Sequence, residues 1–193
     1  MSLAIAAAGE ITDKRPVLVR TNRSFKDLSE DVFNSINKNV RDLRFQSAII
    51  LKLKEDKICP EDALKLLIES RGKSRWTDLR KALIAYILEK QKDYAAKVEK
   101  MNLPNNATSE LHNYATHNRL KKPSLQNFMI TDLRLKELEC CVVAHIRVND
   151  GKRTREFISY PTLARKKTEA GILASAQLIV DLVDNGFFQP VQK

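Results

Sequence analysis

The spacing of apolar residues changes near residue 102, and this change limits the fold more than any other feature of the chain. Before it, apolar residues recur every three or four positions, which is the period of one face of an α-helix. After it, residues 139–148 have the density of β-branched side chains that is typical of a strand. Asn149-Asp150-Gly151 then supplies a tight turn, so residues 153–160 are predicted to return as the next strand of a hairpin. The chain is therefore predicted to be an α+β protein.

We predict two domains joined by a short linker. Residues 25–101 should form a helical bundle of three to five helices, and residues 107–187 a compact α-β-β-β-α domain. A proline and several asparagines mark the boundary, and the linker is placed at residues 102–106. Residues 1–24 and 188–193 are expected to be flexible tails.

Residues that favour helix ends predict the boundaries inside the bundle. A polar break at residues 55–57 should end the first helical segment. Pro60 suits the first turn of the next helix, because a proline there loses no intrahelical hydrogen bond. Gly72 is predicted to end that helix in a left-handed conformation, and Ser74 or Thr77 to begin the last one.

The charge of the chain is the first indication of function. Lys and Arg number 34 against 24 Asp and Glu, which gives a formal net charge of +10. The excess is strongest in residues 119–167, where 12 basic residues face five acidic ones. Such an excess favours a polyanionic partner, such as nucleic acid or an acidic membrane surface. No apolar run approaches the roughly 18 residues of a membrane-spanning helix, so no membrane span is predicted.

The sequence offers no pattern for a metal site or a catalytic thiol. Three cysteines cannot build a disulfide framework and fit a reducing compartment, the cytoplasm or the nucleus. The three histidines do not combine with them at zinc-finger spacing, and the acidic residues are scattered, so no metal or other cofactor is predicted. No spacing supplies the base that a catalytic cysteine needs. We therefore predict that the protein is not an enzyme.

Three stretches of the second domain resemble the double-stranded-RNA-binding domain family. Residues 110–123 read ELHNYATHNRLKKP, similar to the family's first helix with Leu-x-x-Tyr and the basic, proline-containing loop that follows it. Residues 142–151 match its central strand and turn. Arg165-Lys166-Lys167, followed by small residues, is similar to the start of its last helix. The resemblance covers residues 107–187.

The resemblance implies a protein that binds duplex RNA without cleaving it. Such domains recognise A-form RNA by its shape, through two minor grooves and the phosphates between them. His112 and Asn113 would then face one minor groove. The predicted phosphate contacts are Arg134 and Lys136, beyond the first strand, and Arg165, Lys166 and Lys167 at the last helix. The protein would shield duplex RNA or act as an adaptor in RNA processing or silencing. The helical half would then dimerise or recruit a protein partner.

A second hypothesis assigns the same domain to protein–protein interaction. Residues 132–138 read DLRLKEL where the family usually carries Gly-Pro-x-His. This departure favours a dimerisation or interaction scaffold with a degenerate fold that has lost RNA binding.

A secondary basic patch lies in the helical half. Arg71, Lys73 and Arg75 stand beside Trp76, and three cations with an aromatic side chain could hold RNA or a protein partner. A third hypothesis places RNA binding here, with Arg80 and Lys81 added. The alternative is a loop between two bundle helices on which Trp76 packs.

Overall fold

The computed structural model describes residues 5–8, 14–18, 30–101, 106–129, 140–149, 151 and 153–189. The chain divides into two compact units, Met1–Lys54 and Glu55–Lys193. Helices precede a four-stranded antiparallel sheet along the chain, which confirms the predicted α+β class. None of the described helices combines the length and the apolar character needed to cross a membrane.

The first unit holds a two-stranded ladder and one long helix. Strand β1 (Ile5–Ala8) pairs antiparallel with β2 (Lys14–Leu18), and α1 runs over Glu30–Lys54. The ladder lies in the segment predicted to be a flexible tail. Backbone hydrogen bonds between the two strands give those residues a regular structure.

The second unit begins with two helices whose ends follow the predicted signals. Helix α2 spans Pro60–Arg71, a 3-10 turn spans Ser74–Trp76, and α3 spans Thr77–Lys100. The prediction of a left-handed Gly72 is wrong, since its φ is −89°. The amide of Lys73 donates to the carbonyl of Ser70 at 3.3 Å, which closes a right-handed turn that needs no positive φ.

The rest of the second unit has the predicted order of helix, sheet and helix. Its elements are α4 (Ala107–His117), β3 (Ser124–Met129), β4 (Cys140–Asn149), β5 (Thr154–Ile158), β6 (Thr162–Ala164) and α5 (Lys167–Asp184). Strand β4 is central, with β3 on one edge and both β5 and β6 on the other. Strand β5 lies within the predicted return strand at residues 153–160, and β6 is a further short strand that was not predicted.

Ser159 bridges the break between β5 and β6. Its amide donates to the carbonyl of Ala144, and its Oγ accepts from the amide of Ala144, each at 2.9 Å. A side-chain oxygen therefore replaces one carbonyl of the ladder. The central strand loses no hydrogen bond where its neighbour bends.

Both helices of this α-β-α arrangement pack on one face of the sheet. Alternate residues of β4 point into the core, since successive side chains of a strand face opposite sides. Leu111 of α4 and Leu178 of α5 lie in the same core. The strand residues that meet them are Val142, Ala144, Ile146 and Val148. The opposite sides of α4 and of the first turn of α5 consequently face solvent.

Helix α3 packs against this domain rather than standing apart from it. Gln91 donates to the carbonyl of Leu163 and accepts from its amide, both at 3.1 Å. The hydroxyl of Tyr94 donates to Asp181 of α5 at 2.7 Å. These contacts place residues 55–101 in one compact unit with the sheet, which differs from the predicted division at 102–106. Independent folding of the two parts stays a prediction.

The predicted C-terminal tail also makes a core contact. The ring of Phe188 lies 5.3 Å from that of Tyr114, centroid to centroid, and both side chains border the main core. An aromatic contact of this kind anchors the chain just after α5.

Candidate nucleic-acid interface

The outward face of α4 carries the first group of predicted contact residues. His112 is half-buried and Asn113 is exposed. Nδ1 of His112 lies 2.8 Å from the carbonyl oxygen of Thr108, and Nδ1 of His117 lies 2.7 Å from that of Asn113. Because a carbonyl can only accept, both Nδ1 atoms carry a proton. In the neutral rings Nε2 is then an acceptor, which suits a hydroxyl donor such as a ribose 2′-OH.

The start of α5 carries the second group. Arg165, Lys166 and Lys167 are all exposed, and Lys167 opens the helix. Lys166 is the N-cap residue, and its side chain makes no capping hydrogen bond. Cations at a helix N-terminus oppose the helix dipole, so the cluster has a local electrostatic cost. An anion bound there would be favoured by both the side-chain charges and the amide groups of the first turn.

A buried hydroxyl fixes this helix start against the sheet. Oγ1 of Thr162 lies 2.9 Å from the carbonyl of Val142 and 2.8 Å from that of Ala170. Thr162 is fully buried. The cationic cluster therefore projects from a fixed position directly after β6.

Contacts between α4 and α5 set the distance between the two groups. Oγ1 of Thr108 lies 3.2 Å from Oγ of Ser175, and Tyr114 contacts Phe188 beyond the end of α5. The two helices thus run side by side in the same direction. Lys167 precedes Ser175 by eight residues, or about 12 Å along the axis. The α5 cluster therefore lies further toward the N-terminal end of the helix pair than the first turn of α4, and it is not beside His112 and His117.

The structure does not test the third group, because Arg134 and Lys136 lie outside the described residues. The strands that flank them end at a defined place, since Met129 pairs with Cys140 and Cys140 pairs with Ala164. Ala164 directly precedes the α5 cluster. Met129 and Cys140 therefore lie at the end of the sheet where α5 begins.

Some basic residues of the 119–167 span interact with other parts of the fold. Nε of Arg147 lies 2.5 Å from Glu156 across the strands, and the guanidinium of Arg155 lies 5.5 Å from the ring centroid of Phe187. Lys121 and Lys122, which were not among the predicted contacts, follow α4 and are both exposed. Their signal was available in the basic, proline-containing loop.

The secondary basic patch lies between α2 and α3. Arg71, Lys73 and Arg75 are exposed, while only 3% of Trp76 is accessible. Nζ of Lys73 lies 3.8 Å from the Trp76 ring centroid, a cation–π contact. A ring so covered offers no face on which a nucleic-acid base could stack.

The thiol pKa values of Cys59 and Cys141 lie above the usual range of a cysteine. Burial raises the pKa of the Cys141 thiol to about 12, so this thiol is protonated at neutral pH. Burial also raises the pKa of Cys59. In the described part of the chain, no three His, Cys, Asp or Glu side chains are placed to hold a metal ion.

Searches with the whole chain against protein-family models, curated proteins and solved structures find no match.

Proposed function

We propose that the protein binds double-stranded RNA through α4 and the start of α5, without cleaving it. The observation that carries this proposal is the packing of both helices on one face of the sheet. That packing leaves a polar helix face and an exposed cluster of three cations outside the core. The net charge of +10 adds long-range attraction to a polyanion.

Each of the two groups suits a different feature of the duplex. A-form RNA hides its base edges in a deep, narrow major groove and exposes 2′-hydroxyls in its wide minor groove. Nε2 of His112 and the amide of Asn113 offer hydrogen bonds to those hydroxyls. Arg165, Lys166 and Lys167 would meet phosphates one groove away, since the offset along α5 separates them from the histidines.

Residues Arg134 and Lys136 complete the proposal as phosphate contacts from the segment after β3. The described residues that flank this segment, Met129 and Cys140, lie at the end of the sheet where α5 begins. Contacts of this kind position the protein on the duplex but do not read sequence. A protein that covers duplex RNA in this way would shield it from nucleases and sensors, or present it to a processing enzyme.

A titration with a duplex of roughly 20 base pairs tests the proposal, because domains of this type span about 16 base pairs. Sequence-matched DNA duplex and single-stranded RNA serve as competitors. We expect preference for duplex RNA, and a large loss of affinity in the variant Lys166→Glu/Lys167→Glu. Because the variant loses two cations that would neutralise phosphates, the negative slope of log K against log salt should become shallower by about two.

The matched control is Lys65→Glu/Lys92→Glu, which makes the same charge change at two exposed positions on α2 and α3. This control should keep the preference for duplex RNA. If the protein binds all three nucleic acids equally and salt weakens each of them, the binding is non-specific charge attraction and not recognition of duplex RNA. Absence of binding at near-physiological salt would refute the proposal and favour the protein-interaction hypothesis.

A further inference from the structure

A groove runs between the end of α2 and the first three turns of α3, away from the residues proposed to bind RNA. Its volume is about 620 Å³. It is lined by the α2 end, the connecting 3-10 turn, and one face of α3 from Thr77 to Leu88. None of the residues proposed to contact duplex RNA lines it.

The α3 side of the groove has the length of a short helix. Its lining positions are Thr77, Arg80, Lys81, Ile84, Ala85 and Leu88. They recur every three or four residues over the 12 residues from Thr77 to Leu88, or about 16 Å of helix axis. A groove of this shape matches three turns of a second α-helix, the arrangement in which one amphipathic helix lies in a groove of its partner.

The floor of the groove is apolar. Trp76 and Ile84 are buried with 3% and 8% of their surfaces accessible, and Leu88 is half-buried beside exposed Ala85. The small side chain of Ala85 leaves room above the helix backbone. Trp76 is covered by Lys73 and cannot stack on a base, so the floor suits aliphatic side chains better than nucleotides.

The rim of the groove is positively charged. Arg71, Lys73 and Lys81 are exposed along it. No Asp or Glu is found among the described residues that line the groove. Charge complementarity across an interface speeds association and rejects partners of like charge. An occupant with acidic flanks is therefore favoured over a neutral or basic one.

We propose that this groove binds an amphipathic α-helix of a partner protein, about three turns long. Its apolar side chains, at i, i+3 or i+4, and i+7, rest on Ile84, Ala85 and Leu88. Its acidic side chains lie beside Arg71, Lys73 and Lys81. This activity does not depend on duplex RNA binding, which uses other elements of the chain.

A fluorescein-labelled 14-residue peptide serves as the probe, with Leu at the three anchor positions and Glu at most others. Fluorescence anisotropy with the full chain should show saturable binding that weakens as salt rises. Two control peptides are needed: one with every Glu replaced by Lys, and one with the same composition but the Leu residues distributed around the helix. Both should bind at least about tenfold more weakly, which corresponds to 1.4 kcal/mol.

Two variants locate the binding in the groove. Ala85→Trp fills it from an exposed position, and Lys81→Glu reverses one rim charge. Each should weaken the acidic peptide by about tenfold or more, the effect expected of a central interface residue. Circular dichroism melts check that each variant is folded, and Lys81→Glu tests the site even where Ala85→Trp disturbs packing. Lys166→Glu/Lys167→Glu should leave peptide binding unchanged.

Three results would overturn the proposal. The acidic peptide could bind no better than its controls. It could bind equally well to wild type and to a folded groove variant. The wild-type chain could bind a 12-nucleotide single-stranded RNA, and Ala85→Trp could abolish that binding. This result would make the groove a nucleic-acid site. If the wild-type chain binds the acidic peptide but does not bind duplex RNA, only the proposed function is refuted.

Discussion

Asp181 is a carboxylate in a poorly solvated position, and it makes the stability of the fold depend on pH. Burial raises the pKa of Asp181 from 3.8 to about 6, although the hydroxyl of Tyr94 and the charge of Lys97 both act to lower it. The other charge that acts on it is Asp184 on the same helix, which raises the pKa further. Helices α3 and α5 thus meet around a carboxyl group that resists ionisation.

The direction of the effect follows from the two pKa values. The folded state holds this proton more tightly than the unfolded state, so the contribution to stability is complete below pH 3.8. It is lost as the pH rises to about 6. The pKa of Asp181 is about 6 in the folded state and 3.8 in the unfolded state, a difference of about 2.2. Since one pKa unit corresponds to about 1.36 kcal/mol, ionised Asp181 lowers the free energy of unfolding by up to about 3 kcal/mol at neutral pH. Asp181→Asn removes the charge and keeps an oxygen that accepts from Tyr94.

Urea unfolding at pH 4.5 and pH 7.5 measures this cost, followed by the fluorescence of the chain's one tryptophan, Trp76. We expect Asp181→Asn to be more stable than wild type by up to about 3 kcal/mol at pH 7.5, and by only about 1 kcal/mol at pH 4.5, because wild-type Asp181 is then protonated in the folded state. Asp184→Asn, an exposed position on the same helix, is the control and should not remove the pH dependence. Equal pH dependence in wild type and Asp181→Asn would refute the reasoning.

Two further substitutions test buried polar groups of the same domain. Gln177 has only 2% of its surface accessible, and its amide nitrogen and oxygen have no hydrogen-bond partner among the described residues. Gln177→Met should therefore raise the free energy of unfolding by about 1–3 kcal/mol, and a lower melting temperature would contradict this account. Thr162→Val keeps the shape of the side chain but removes the donor shared by two buried carbonyls. It should cost about 1–3 kcal/mol in urea unfolding, whereas Thr162→Ser, which keeps the hydroxyl, should cost less.

Local signals predicted the elements of the fold well because each depends on a few neighbouring residues. Pro60 begins α2 as expected, and Gly151, where φ is +83°, lies between β4 and β5 in the chain. The packing of α3 on the sheet was not predictable in this way. It depends on pairs such as Gln91 and Leu163, which are 72 residues apart. A polar side chain that bonds to a distant backbone leaves no periodic pattern in the sequence.

Local signals likewise predicted one feature of the surface, the position of the α5 cluster, but did not predict the groove. The cluster of Arg165, Lys166 and Lys167 lies at a helix start because the small, apolar residues after it favour a helix. The charge near Trp76 predicted a basic patch, but nothing local predicted a groove. The groove is lined by residues of α2, of the 3-10 turn and of α3, which come together only in the folded chain.

Helix α5 connects the two proposed surfaces through one rigid framework. Its first turn is bound to the sheet through Thr162, and its later turns to α3 through Tyr94 and through the ion pair of Lys97 with Asp184 at 3.2 Å. The N-terminal half of α3, from Thr77 to Leu88, supplies one wall of the groove. Every residue from Ala174 to Val180 is buried, so α5 has no side on which it can shift without opening a core. Coupling between sites needs an element with two arrangements of similar energy, and this helix has one closely packed arrangement. Duplex RNA and an acidic helix should therefore bind independently, so substitutions at either surface give a separate test of each proposal.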